Sequence, residues 1–185
     1  YTTYSYSSNK VAKMASMNNA FYVHSDYKYV YNNDVKFKEF FDSRKVSEYR
    51  RIIFVSNEAK ASFISYYPEL SEKSLVLNNF IDINAIISNS KEKISEQKPK
   101  DKKLFVFVGR LDDSSKKLRR AIKIIKELKD TELWVVGNGP DRKLYEDYAK
   151  ELKVTSKVKF LGQKVNPYPY MKEADYIILT SDYEG

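Results

Sequence analysis

The clearest pattern in the chain runs from Leu104 to Arg120 and reads LFVFVGRLDDSSKKLRR. Leu104 to Val108 are apolar with no polar alternation, the pattern of a strand buried on both faces. Gly109 ends the run and a polar turn follows. Beyond it Leu118, Ala121, Ile122, Ile125 and Leu128 recur at spacings of three and four, which predicts one buried stripe on a helix over about 116–129. A buried strand, a glycine turn and a helix N-terminus together make a natural anion site. Arg110 leaves the strand tip and Lys116 stands at the expected helix start, so both cations point at that place.

The alternation continues downstream. Strands are expected at Leu133–Val136, Val158–Leu161 and Tyr176–Thr180, and helices at about 140–152 and 168–174. Regular strand–helix–strand order predicts an α/β fold with a Rossmann-like parallel sheet and helices on both faces. Leu104–Val108 belongs inside that sheet, between Leu133–Val136 and Tyr176–Thr180. Upstream the pattern is similar but less complete. Ala20–Val23, Arg51–Val55 and Leu75–Leu77 read as strands. Val35–Phe41 reads as an aromatic helix, and Ser56 caps another that runs to about Tyr66, ahead of Pro68. Asp82 or Asn84 caps a short helix through Ser88, and Lys10–Met17 is a further short helix in a polar, Tyr-rich start. Ser88–Lys103 has almost no apolar content and reads as a linker. The expected organisation is a partial N-terminal domain over 1–90, a charged linker over 91–103 and a second domain over 104–185.

Composition narrows the chemistry. The chain has 185 residues, is 42% hydrophobic and contains no cysteine, which removes disulfides and thiolate metal sites. No apolar run is long enough to span a bilayer. It begins at Tyr1 and stops directly after an apolar run, so it is expected to be part of a longer protein, cut at both ends. The net charge of +8 is uneven. Residues 91–129 carry 14 basic and 6 acidic side chains, a net of +8, against +2 before them and −2 after them. That excess suits a nucleic-acid patch, a face for anionic lipid, or a solvated linker and helix.

Several motifs carry two readings each. Gly137-Asn138-Gly139-Pro140 is either a tight strand-to-helix turn or a ligand-facing loop. Arg142 stands where a dinucleotide fingerprint needs its third glycine, and there is no Walker lysine motif. Asp112-Asp113 fits solvated or capping carboxylates better than a metal site. His24, the one histidine, follows a strand and is by default a surface or capping residue. The alternative is a ligand contact, because parallel strands bind ligands beyond their carboxyl ends. Ser181-Asp182-Tyr183-Glu184-Gly185 lies beyond the last strand, where a carboxylate suits sugar hydroxyls.

The order VGRL, Lys116, VGNGPDR, VKFLG, NPYPYMKEADYIILTSDYEG resembles the C-terminal domain of GT-B glycosyltransferases of the retaining family 4 type over about 104–185. FYVHSDY, FVSNEAK and NNFID are similar to the second half of that family's N-terminal domain, although Phe80 stands where the family usually has glycine. HSDY and GRLDD are most similar to capsule or surface-polysaccharide transferases.

The resemblance implies transfer of a sugar from a nucleotide sugar, UDP-linked, to a lipid-linked or glycan acceptor with retention. It implies that Gly109, Arg110 and Lys116 hold the donor diphosphate, that Gly162, Gln163 and Lys164 face the nucleobase, and that Glu184 and His24 are the catalytic pair at the donor sugar. It implies no cofactor and no obligatory metal, no nucleic-acid partner, and a cytoplasmic enzyme with peripheral contact on the inner face of an anionic membrane. On this view the stretch alone transfers no sugar. The competing reading is a basic, non-catalytic module that binds nucleic acid or an anionic membrane through 91–129.

Overall fold

The computed structural model describes residues 2–3 and 19–182. The chain divides between Phe80 and Ile81 into two compact units, each built on its own sheet. The expected helix at Lys10–Met17 lies outside the described residues.

The first unit holds a parallel sheet in the order β1 (Thr2–Thr3), β2 (Ala20–Val23), β3 (Arg51–Phe54) and β4 (Ser74–Val76). Helices α1 (Tyr27–Tyr31), α2 (Asp34–Asp42) and α3 (Asn57–Ile64) begin where side chains cap them. Asp26 accepts from the Lys28 amide at 3.0 Å, Asn33 from the Lys36 amide at 3.1 Å and Ser56 from the Ala59 amide at 3.2 Å. These caps satisfy amides that the first helical turn leaves without partners. The core is aromatic: Phe21, Phe37, Phe41, Tyr49, Phe54 and Phe63 are all buried. Phe41 packs edge-on to Phe63 at 4.8 Å between ring centres, a favoured geometry for paired rings.

The second unit opens with α4 (Ile83–Asn89), which Asp82 caps through the Ala85 amide at 2.9 Å. Its sheet is β5 (Lys103–Val108), β6 (Thr131–Val136), β7 (Val158–Gly162) and β8 (Tyr176–Ile177), in the order β7-β6-β5-β8 and parallel throughout. The strand read as interior is interior, flanked by the two strands expected beside it. Alternate residues of β5 serve opposite faces. Phe105 and Phe107 pack with α5 (Leu118–Glu127) and α6 (Arg142–Glu151), whereas Leu104 and Val106 pack with Trp134 and with Tyr170 of α7 (Tyr168–Glu173). Every residue of β6 is buried, which explains its unbroken apolar run apart from Thr131 and Glu132. Glu132 is only 3% exposed, and its carboxylate accepts from the Trp134 indole at 2.6 Å and pairs with Lys159 at 2.8 Å.

Three expectations shift. The helix expected from 116 starts at Leu118, because Lys117 adopts a left-handed backbone (φ 50°) that interrupts the helical path. The last strand has two paired residues rather than five. After Ile178 donates to the Val106 carbonyl at 3.0 Å, the chain leaves the sheet for the turn before α5. There the Thr180 hydroxyl donates to the carbonyls of Lys116 and Lys117, both at 3.1 Å. The third shift concerns 91–103, which lies within the second unit and is pinned to it rather than solvated along its length. Ile94 packs against the Leu104–Trp134–Tyr170 cluster, Glu96 bonds Lys164 and Tyr170, and Lys98 pairs with Asp175 at 3.1 Å.

Candidate nucleotide-binding site

Three strand ends in the second unit are sewn together by backbone hydrogen bonds. The Gly109 amide donates to the Val136 carbonyl at 3.0 Å, the Leu111 amide to Asn138 at 3.0 Å and the Gly137 amide to Gly162 at 2.8 Å. This closeness requires glycine. A Cβ on Gly137, whose φ is 145°, would stand 1.9 Å from the Gly109 carbonyl oxygen, and one on Gly139 would stand 2.3 Å from that of Leu111. The Gly-Asn-Gly turn is therefore tight for a structural reason. Gly137 and Asn138 also line a cavity.

That cavity, of about 360 Å³, lies beyond the carboxyl ends of β5, β6 and β7 and is lined by Gly109, Arg110, Gly137, Asn138, Gln163 and Lys164 among others. Its position is the one where open parallel sheets bind ligands. Arg110 is two-thirds exposed and donates one Nη to Asp112 at 2.5 Å, which leaves further N–H groups for a ligand. On the far wall, Lys164 gives its ammonium to Glu96 at 2.9 Å and lies 5.1 Å from the centre of the Tyr170 ring. Partial burial pushes the Glu96 carboxyl up. The hydrogen bonds from Lys164, its own backbone, Ser95 and Tyr170 outweigh that and hold its pKa at about 2. The bonds with Tyr170 and Glu96 raise the Lys164 ammonium in turn. Glu96 was invisible to sequence reading as part of a charged linker. The available signal was a lone apolar residue, Ile94, two positions before an acid in a basic run.

The turn over 112–117 is folded by its own side chains. Asp112 accepts from the amide of Ser114 at 2.9 Å and from its hydroxyl at 2.5 Å. Asp113 pairs with Arg119 at 2.6 Å, and its amide is capped by Asp141 at 2.7 Å. Both carboxylates are thus engaged as turn and ion-pair groups. Among the described residues, no group of three His, Cys, Asp or Glu side chains could hold a metal ion. Lys116 sits in this turn. Its amide donates to the Asp112 carbonyl at 2.9 Å, and it is not among the residues lining the cavity. Helix α5 has no side-chain cap at its N-terminus. Gly162 contributes through its backbone, with φ 74°.

His24 belongs to the first unit. It stacks on Tyr22 at 4.5 Å between ring centres, and burial lowers its pKa. Glu184 lies outside the described residues. The structure thus brings Gly109, Arg110, Gln163 and Lys164 to one cavity.

Much of the basic excess over 91–129 is paired at short range. Besides Arg110 and Arg119, Lys117 and Arg120 pair with Asp182 at 3.6 and 2.7 Å, and Lys98 and Lys103 with Asp175 at 3.1 and 3.9 Å. Among the described residues no helix is long and apolar enough to cross a membrane.

Residues 88–185 match the family described as glycosyl transferases group 1. The lipopolysaccharide core biosynthesis glycosyltransferase LpsD of Rhizobium meliloti is 33% identical over 88 residues, which cover 48% of this chain and 25% of that protein. The capsular polysaccharide biosynthesis glycosyltransferase CapH of Staphylococcus aureus is 28% identical over 146 residues, covering 73% of this chain and 37% of that protein. The chain therefore spans a quarter to just over a third of the length of these relatives. Among solved structures, HepE of Anabaena in complex with UDP superposes with a TM-score of 0.73 at 16% identity, over 93% of this chain and 49% of that one. A variant of Staphylococcus aureus TarM, solved with fondaparinux, α-GlcNAc-glycerol and UDP, superposes with a TM-score of 0.70 at 13% identity, over 90% of this chain and 33% of that one. The shared architecture is that of GT-B glycosyltransferases.

Proposed function

The chain belongs to the glycosyl transferases of group 1, and on that premise we propose that its second unit binds the nucleotide part of a sugar donor, UDP-linked, for transfer with retention to a lipid-linked or glycan acceptor in capsule or surface-polysaccharide biosynthesis. The observation that carries this is the cavity at the ends of β5, β6 and β7, with a cation on one wall and an amide and a paired lysine on the other. UDP in the solved HepE and TarM structures supports the choice of base, and the similarity to LpsD, of lipopolysaccharide core biosynthesis, and CapH, of capsular polysaccharide biosynthesis, supports the acceptor class.

In this reading Arg110 meets the diphosphate directly and Lys116 approaches from the turn before α5, whose uncapped N-terminus adds a favourable field. Charge that develops on the leaving diphosphate is then balanced by fixed cations rather than by a metal. Gly162, Gln163 and Lys164 take the nucleobase side. Glu184 and His24 are the candidate catalytic pair at the donor sugar, with the first unit forming part of the acceptor side. The enzyme works on the cytoplasmic face of a membrane that holds its acceptor.

The test is calorimetric binding of UDP, GDP and ADP to this chain, because the cavity and the turn before α5 both lie in the second unit. UDP is expected to bind best. Lys116→Ala should weaken it by about 1–3 kcal/mol, the usual range for a charge-assisted contact. Lys123→Ala, on the exposed side of α5, should change little. Equal losses at both positions, with salt-sensitive binding to random-sequence DNA, would favour the basic-module reading instead.

A further inference from the structure

Glu96 reaches the cavity wall from a stretch that has no place in the strand–helix alternation. It does so through Lys164 alone, since Lys164 lines the cavity and Glu96 does not. The pair is half-buried. The Lys164 side chain is 27% exposed and the Glu96 side chain 20%, and the Tyr170 hydroxyl donates to the second carboxylate oxygen at 3.1 Å. Arg110 on the other wall is 68% exposed and commits one nitrogen to Asp112. The two walls therefore differ in kind. Both cations are paired with a carboxylate, but Arg110 is exposed and its guanidinium keeps further N–H groups for a ligand, whereas Lys164 is a half-buried point charge held against Glu96.

We propose that Glu96 is a positioning residue that sets ligand orientation. By holding Lys164 in a neutral pair, it makes the Gln163–Lys164 wall unattractive to phosphate and reserves it for an uncharged planar group. This rests on the reading of the cavity as a diphosphate site. Glu96 touches no ligand and acts through Lys164. Its segment is held in register by contacts independent of the pair, Ile94 in the apolar cluster and Lys98 on Asp175 at 3.1 Å, so the carboxylate is delivered to a fixed place. Without the carboxylate, Lys164 would add an uncompensated positive charge to the cavity lining, and a bare diphosphate would find a second place of attraction besides Arg110.

The experiment titrates UDP and inorganic pyrophosphate, at low ionic strength, into this chain and into Glu96→Gln, Lys164→Met and the double variant. Circular dichroism checks that each is folded. Glutamine keeps an acceptor for Tyr170 and removes only the charge. Pyrophosphate should bind Glu96→Gln about fivefold more tightly, the upper end of what a partly exposed charge pair is worth. UDP should gain less, so discrimination between the two ligands narrows. The gain should vanish in the double variant, while Lys164→Met alone, which leaves the Glu96 charge uncompensated, should weaken pyrophosphate binding. Equal changes for both ligands, no change in Glu96→Gln, or a gain that survives loss of Lys164 would each overturn the proposal. If the unaltered chain binds pyrophosphate but not UDP, the functional reading above fails, and the pyrophosphate series still decides whether Glu96 silences Lys164.

Discussion

Single residues in the second unit do more than their type suggests. Glu132 is a carboxylate inside a strand buried on both faces, tolerated because Trp134 and Lys159 satisfy it. Glu132→Ala should cost about 1–3 kcal/mol in urea unfolding, since it strands the buried indole N–H. Glu132→Gln should cost less, because an acceptor remains and half-exposed Lys159 can turn to water. Gly137 is constrained more severely. Gly137→Ala places a methyl 1.9 Å from the Gly109 oxygen at a φ that side chains avoid, so a loss of at least about 3 kcal/mol is expected. In the first unit Phe41 sits among Phe21, Phe37, Phe40 and Phe63, and Phe41→Ala should cost about 3–5 kcal/mol by the same measurement.

At the scale of elements, periodicity gave β5, β6, the buried stripe of α5 and the order of the sheet, because those segments bury apolar residues at regular spacing. It failed where geometry depends on single backbone or polar contacts. The left-handed Lys117 delays α5, and the Thr180 hydroxyl draws the chain out of β8; neither leaves a hydrophobic trace. The segment 91–103 looked like linker because its attachments are charges, and a charged run does not announce which of its members is paired. Of the candidate site, the strand-end residues Gly109, Arg110, Gln163 and Lys164 were legible, and Glu96 behind them was not.

That segment should also report its attachment in acid. Glu96 titrates near 2 in the folded chain, below its usual 4.5, so its contribution is present above about pH 4.5 and is lost as pH falls towards 2. Asp175, lowered by the Leu104 amide and by Lys98, acts in the same direction. Stability measured by urea titration between pH 6 and 2.5 should fall over that window, and the fall should be shallower in Glu96→Gln.

For the whole molecule, the relevant fact is that each unit has its own core: one aromatic, the other built around β5 and β6. A ligand confined to the cavity of the second unit should stabilise that unit alone, by about 2.7 kcal/mol at a hundred times its dissociation constant. Hydrogen exchange with and without UDP is the measurement. Added protection should concentrate in 81–182, and equal added protection across 20–80 would mean that the first unit shares the ligand or the unfolding transition.

The stitching of the three strand ends has a consequence for engineering. The base of the cavity is made of amides and carbonyls that bond one another, so its shape does not depend on which side chains stand on the rim. A randomised library at Asn138, Gln163 and Lys164 should retain folded members in most clones and explore different ligand preferences. The same randomisation at Gly137 and Gly139 should yield almost none. Sorting both libraries on a protease-resistance display would separate the part of this cavity that can be rewritten from the part that cannot.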